Sequence, residues 1–190
     1  MIKHLTTVIA LTLFSITASP VWADEYSDTV SIFKNAGASG TFFAKSRGYA
    51  VFPTVGKGGV GIGGAYGKGR VYDQGKLIGD TSVTQLSFGL QLGGQAYSEI
   101  IFFQDERALK EFTSGNFEFS ADASAVAITA GADAKASTTG SSAGASGGNK
   151  NANTVGGYHK GLATFTVAKG GLMYEAAVAG QKFSYTPRKH

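Results

Sequence analysis

The sequence predicts an α+β fold that is mainly β, in which a curved antiparallel sheet closes into a barrel or sandwich-like domain. Three observations carry this prediction. Apolar and polar residues alternate over long stretches, which is the period of a half-buried strand. Glycine is abundant, at 28 of 190 residues, and clusters where such a sheet would bend or turn. Segments of helical character are confined to the beginning of the chain and to one stretch in its middle.

Three short helices are predicted from spacing and from their stop signals. Residues 26–33 carry apolar side chains at i, i+4 and i+7, and Gly37 would close this helix. Residues 41–46 form a second short helix that Gly48 would stop. Residues 105–113 are rich in helix-forming residues and form the third.

The strand pattern is clearest in the glycine-dense segment 56–79. One face carries large side chains between Val60 and Tyr72, whereas the other is almost entirely glycine. A bare face suits close approach by another element, and we expect a curved sheet packed here against a helix. The next strands are 86–92, with its leucines on a half-buried face, then 95–103 after a turn at Gly93-Gly94, and 117–127.

The chain begins with the three regions of a secretory signal. Lys3 and His4 precede an apolar run, and the small-residue pattern ending at Ala23 predicts cleavage there. Residues 1–23 are therefore interpreted as a signal peptide and 24–190 as one mature domain. The mature sequence has no apolar run long enough for a spanning helix, so we expect an exported protein that is periplasmic or peripheral to the envelope membranes.

The composition excludes most catalytic mechanisms, because the residues that they require are absent or rare. There is no cysteine, and His159 is the only histidine expected inside the fold. The segment 59–64 satisfies G-x-G-x-x-G, but its glycines continue into a strand and do not open a helix, so no dinucleotide site is predicted. Glu99, Glu118 and Glu175 could each face inward, although their spacing favours no paired-carboxylate chemistry. We expect no enzyme, no cofactor and no metal.

Positive charge is concentrated in residues 34–76 and again from residue 135 onward, whereas residues 77–134 are acidic. Within the basic segments, 52–60 is echoed by 165–172: each reads as a strand, then Lys-Gly-Gly, then another strand. Two such hairpin turns would place their lysines at the same end of the sheet, with backbone N–H groups beside them as a phosphate cradle. Plain glycine turns with solvated lysines would explain the same residues. The candidate lipid-binding residues are Lys57, Gly58, Gly59, Lys68, Arg70, Lys169, Gly170 and Gly171.

Residues 131–157 are of low complexity, built from glycine, alanine, serine, threonine and asparagine. Such a composition buries too little apolar surface to offset its ordering entropy, which predicts a flexible loop.

Three long motifs make the sequence resemble the SYLF domain family: GYAVFPTVGKGGVGIGGAYGKGRVY (48–72), LSFGLQLGGQAYSEIIFF (86–103) and KGGLMYEAAVAGQKFSY (169–185). The resemblance runs from about residue 30 to the end. It implies lipid binding, notably of phosphatidylinositol lipids in eukaryotic members, which also bind actin in endocytosis. Those members use a basic N-terminal segment, whereas this mature chain starts with Asp24, Glu25 and Asp28.

The expected partner is accordingly an anionic phospholipid or membrane surface. Nucleic acid is not expected for an exported protein, and actin regulation is not carried over. A structural or protein-interaction role in the envelope, including a small outer-membrane β-barrel, is the alternative. The sequence leaves a protein partner and the oligomeric state open.

Overall fold

A computed structural model describes residues 24–89, 95–120, 123, 125–128, 157–169 and 178–189. The predicted signal peptide at 1–23, the turn at 93–94 and all of the low-complexity segment except Gly157 lie outside these residues. The helices are α1 (Glu25–Asn35), α2 (Gly37–Gly40), a 3-10 helix (Thr41–Ala44) and α3 (Glu106–Phe112). The strands are β1 (Gly48–Asp73), β2 (Lys76–Gly89), β3 (Gln95–Phe103), β4 (Phe117–Glu118), β5 (Val126–Ile128), β6 (Leu162–Lys169) and β7 (Lys182–Pro187).

The described strands form one sheet in the order β4-β7-β2-β1-β3-β6-β5. Neighbouring strands are antiparallel except for β5 and β6, which are parallel. The sheet curls into a half-barrel, which confirms the predicted α+β, mainly β class. Among these strands β4 and β5 are the two edges, so the described sheet is open.

β1 is long enough for its two halves to pair with different strands, one on each side of the curled sheet. Its first half pairs with β3 up to Lys57, and its second half pairs with β2 from Gly61 onward. The strand bends between these points and changes partner there. A two-residue turn at Gln74-Gly75 then leads into β2, with both residues at positive φ.

The bare glycine face of β1 points inward, as the alternation predicts, but the expected helix does not cover it. A Cβ at Gly69 would lie 2.6 Å from the ring of Phe52, and a Cβ at Gly67 would lie 2.8 Å from Val55. Phe52 and Val55 belong to the first half of the same strand. The glycines therefore let the two halves of β1 approach each other across the curl, where side chains would collide.

Two hydrophobic cores lie on opposite faces of the sheet. The inner core fills the curl with Phe52, Ile101, Phe103, Phe112 and Phe183, so α3 packs inside it. The outer core lies between the N-terminal helices and the opposite face of β1, β3 and β6; it contains Val30, Phe33, Phe42, Val51, Ile100, Phe102 and Phe165. Because β3 is buried on both faces, its apolar run is continuous.

The helices agree with the sequence pattern except at their ends. Gly37 does not simply close α1, because a second short helix begins at that residue. The predicted strand over 117–127 is also wrong in part: β4 and β5 are separate short strands at opposite edges of the sheet. Between them Phe119, Ala123 and Ala125 pack on the inner core, so the chain crosses the curl instead of extending along one edge.

Candidate functional site

Lys57 lies at the bend of β1, opposite Gln95 of β3, and the following Gly58 and Gly59 are exposed. The predicted hairpin turn is wrong here, because the strand continues through Lys57-Gly58-Gly59 with Gly59 at a φ of 144°. The sheet curls at this point because one long strand bends, and no tight turn is needed. Gly170 and Gly171, the second predicted turn, lie outside the described residues.

The structure brings two of the predicted cations, Arg70 and Lys169, to the beginning of α1. The Arg70 Nη1 donates to Asp24 Oδ2 at 2.8 Å. The Lys169 Nζ lies 3.3 Å from Glu25 Oε1 and donates to Thr54 Oγ1 at 2.6 Å. The acidic residues at the start of α1 thus pair with half of the predicted basic side chains.

The same acidic residues begin the helix. Asp24 caps α1 by accepting from the backbone N–H of Tyr26, and Glu25 occupies the first turn, where a carboxylate is favoured by the helix dipole. The Arg70 guanidinium lies 3.9 Å from the centre of the Tyr26 ring. Partial burial raises the pKa of Tyr26, and the positive charge of Arg70 opposes that rise. Sequence reasoning noted these acids but could not show which cations they would meet.

Lys68 lies beyond this cluster on the outward face of β1, exposed and without an ion pair to any described residue. Tyr66, two residues earlier on the same face, is 53% exposed, and Leu86 on β2 is 76% exposed. Tyr66 pairs with Thr84 and Gly64 pairs with Leu86, so Leu86 is the diagonal neighbour of Tyr66. We call Lys68, Tyr66 and Leu86 the outer stripe.

The exposure of Leu86 corrects the sequence-based assignment of its strand. The leucine was expected on the buried face of 86–92, but Val83 and Gln85 occupy that face and Leu86 points outward. A period of two gives the alternation but not which phase faces the core, and pairing with β1 decides it. Neither Tyr66 nor Leu86 was predicted as a site residue, and no pattern in the sequence distinguishes them from core residues.

Glu99 faces the inside of the curl and is fully buried. Its Oε2 accepts from Gln181 Nε2 at 3.1 Å, and the same amide nitrogen donates to Tyr97 Oη at 3.0 Å. Glu99 Oε1, Gln181 Oε1 and Thr166 Oγ1 have no hydrogen-bond partner among the described residues. Burial raises the pKa of Glu99 to about 8, and the hydrogen bond from Gln181 opposes that rise only in part.

The other candidates from the sequence lie apart from Glu99. Glu118 is exposed on β4 and pairs with Lys182 at 3.5 Å. His159 is exposed and forms an isolated bridge with Leu162. Glu175 falls outside the described residues. Within the described ranges, three or more histidine, aspartate or glutamate side chains nowhere gather into a metal-binding group.

Of the helices that the structure describes, none is long and apolar enough to cross a membrane.

Residues 84–187, more than half of the chain, match the Ysc84 family, described as Las17-binding protein actin regulator. The chain belongs to this family, the SYLF domain family. The match runs from the end of β2 to β7 and includes Leu86, Glu99 and Lys169. Membership points to lipid-related or actin-related binding. No curated protein matches the chain.

Proposed function

We propose that this protein is a non-catalytic lipid-binding protein of the cell envelope, exported and then held at membrane surfaces through anionic phospholipid. The observation that carries the proposal is the outer stripe. Tyr66 and Leu86 are exposed large hydrophobic side chains, and the adjacent Lys68 has no ion-pair partner among the described residues. Apolar side chains next to a free cation suit the boundary between lipid headgroups and acyl chains.

The strength of such a contact follows from its parts. Burying Leu86 fully would contribute about 2 kcal/mol. Lys68 would contribute about 1 kcal/mol near an anionic membrane. The sum of about 3 kcal/mol corresponds to a Kd of about 6 mM for isolated contacts. We therefore expect reversible, salt-sensitive binding to a surface.

Arg70 and Lys169 should contribute less to the binding of anionic lipid than their positive charge suggests. Each already pairs with a carboxylate of the α1 start, at 2.8 and 3.3 Å. An anionic lipid approaching them would meet Asp24 and Glu25 as well. Lys68, which has no ion-pair partner among the residues that the structure describes, is therefore the principal electrostatic contact of the proposal.

Vesicle co-sedimentation tests the proposal with phosphatidylcholine alone and with phosphatidylglycerol added. We expect binding only to the anionic vesicles, and weaker binding at high salt because exposed charges are screened. Lys68→Glu and Leu86→Ser should each reduce binding severalfold. Lys45→Glu is the matched control, since it makes the same charge change at an exposed residue after the 3-10 helix.

Equal binding by the native protein and the Lys68→Glu and Leu86→Ser variants would contradict the role of the outer stripe. Co-sedimentation with filamentous actin is measured in parallel, because the family description names actin regulation. Binding to actin without binding to either vesicle would overturn the lipid proposal.

A further inference from the structure

A groove lies on the outer face of β1, β2 and β7, with the first turn of α1 as one wall. It is an open depression of about 270 Å³, and its lining includes Tyr26, Tyr66, Asp80, Ser82, Ser184 and Thr186. Taking about 30 Å³ per water molecule, this is room for about nine waters. That volume suits a small ligand such as a single sugar ring.

Aromatic side chains contribute to the lining from two different elements. Tyr66 stands on β1 and is 53% exposed. Tyr26 belongs to α1, and the Arg70 guanidinium 3.9 Å from its ring centre holds it in place. A tyrosine combines an apolar ring with a polar hydroxyl, so it can contact both the C–H and the O–H groups of a sugar.

The polar part of the lining is already oriented by the protein. Asp80 accepts two bonds from Arg188, at 2.9 and 3.0 Å. The hydrogen bond from Arg188 lowers the pKa of Asp80, so the carboxylate stays ionised and acts only as an acceptor. The hydroxyls of Ser82 and Ser184 lie 2.7 Å apart on neighbouring strands. Each hydroxyl can donate and accept, which matches the hydrogen-bonding groups of a polyol.

The Asp80 carboxylate makes its part of the groove unfavourable for an anion, whereas Lys68 lies on the side that the groove shares with the outer stripe. Arg188 is paired with Asp80, and Arg70 is paired with Asp24. Lys68 is the cation of the lining without an ion pair to a described residue. A phosphate or carboxylate bound here would face Asp80, and a neutral hydroxyl would donate to it. We propose that the groove binds a neutral saccharide, as a free sugar or as the headgroup of a glycolipid.

This inference does not depend on anionic lipid binding. The first experiment is titration calorimetry of the purified protein with glucose, galactose, mannose and N-acetylglucosamine, without lipid. Concentrations up to about 10 mM would saturate most sites with a Kd of about 1 mM. We expect at least one of the four sugars to bind.

Ser184→Leu places a larger apolar side chain in the lining of the groove and should weaken sugar binding at least tenfold. Thr84→Leu is the matched control, because Thr84 is exposed on the same outward face of the sheet and is not part of the lining. Circular dichroism checks that both variants fold. If Ser184→Leu fails to fold, Tyr66→Ser replaces it, with the same loss expected.

Four results separate the possibilities. Absence of binding for all four sugars, together with no binding to phosphatidylcholine vesicles carrying a neutral galactolipid, would overturn the proposal. Retained sugar binding in the folded groove variant would also overturn it. Binding to galactolipid vesicles but not to phosphatidylcholine alone would support a glycolipid headgroup, whereas binding to free sugar only would support a soluble saccharide. Because neither vesicle is anionic, these outcomes do not depend on the test of phospholipid binding.

Discussion

Glu99 should make the stability of this protein fall as pH rises through the neutral range. The carboxyl group lies between Phe52 and Thr166 on neighbouring strands and is hydrogen-bonded to Gln181. Its pKa is raised from 4.5 to about 8, because burial disfavours the charged form. Between these values the folded protein keeps a proton that the unfolded chain has released. The stability from this group is therefore complete below about pH 4.5 and is lost as pH rises toward 8.

The size of the effect follows from proton linkage. Each pH unit inside this window lowers the free energy of unfolding by about 1.4 kcal/mol. A rise of two units, from about pH 5.5 to about 7.5, thus removes about 3 kcal/mol. This is a large share of the roughly 5–15 kcal/mol that stabilises an ordinary domain.

Glu99→Gln removes the titration while keeping an oxygen that can accept from Gln181. The variant and the native protein should be similarly stable near pH 5. Above pH 5, the difference in free energy of unfolding between the variant and the native protein should grow by about 1.4 kcal/mol per pH unit, because only the native protein loses stability. Urea unfolding followed by circular dichroism at several pH values measures the difference directly.

Glu118→Gln is the control, because Glu118 is an exposed glutamate on β4, at the edge of the same sheet. Its stability curve should run parallel to that of the native protein at and above pH 5.5. If the Glu99→Gln curve also runs parallel to the native curve, Glu99 is not protonated in the folded state and the reasoning fails.

Two further variants test the strand bend and the acidic start of α1. Gly69→Ala should lower the free energy of unfolding by about 1–3 kcal/mol, because its Cβ would lie 2.6 Å from an aromatic ring of the inner core. Gly58→Ala is the control, because no atom of a described residue lies within 4 Å of its Cβ, and equal urea midpoints for the two variants would contradict the packing argument. The double variant Asp24→Asn, Glu25→Gln should bind anionic vesicles about thirtyfold more tightly, since freeing two cations contributes about 2 kcal/mol. Asn still caps the helix, Asp28→Asn serves as the control, and unchanged or weaker vesicle binding by the double variant would show that the paired cations do not limit binding.

The local pattern of the chain determined the kind of elements and most of their positions. Helical spacing located α1, and the helix formers after Asp105 located α3, because these signals act within a few residues. Alternation likewise showed that β1 has a glycine face and a side-chain face. The three motifs also indicated the SYLF family, which the match over residues 84–187 confirms.

The tertiary structure decided what each face meets. Alternation could not show that the glycines of β1 would pack against Phe52 and Val55 of the same strand, because that contact depends on the bend. The phase that exposes Leu86 and buries Gln85 is set by pairing with β1. Charge counts located the basic segments, but the pairing of Arg70 and Lys169 with Asp24 and Glu25 joins residues up to 144 positions apart. Such long-range contacts form only when the sheet curls. Local sequence patterns extend over a few residues and therefore cannot predict which distant residues come into contact.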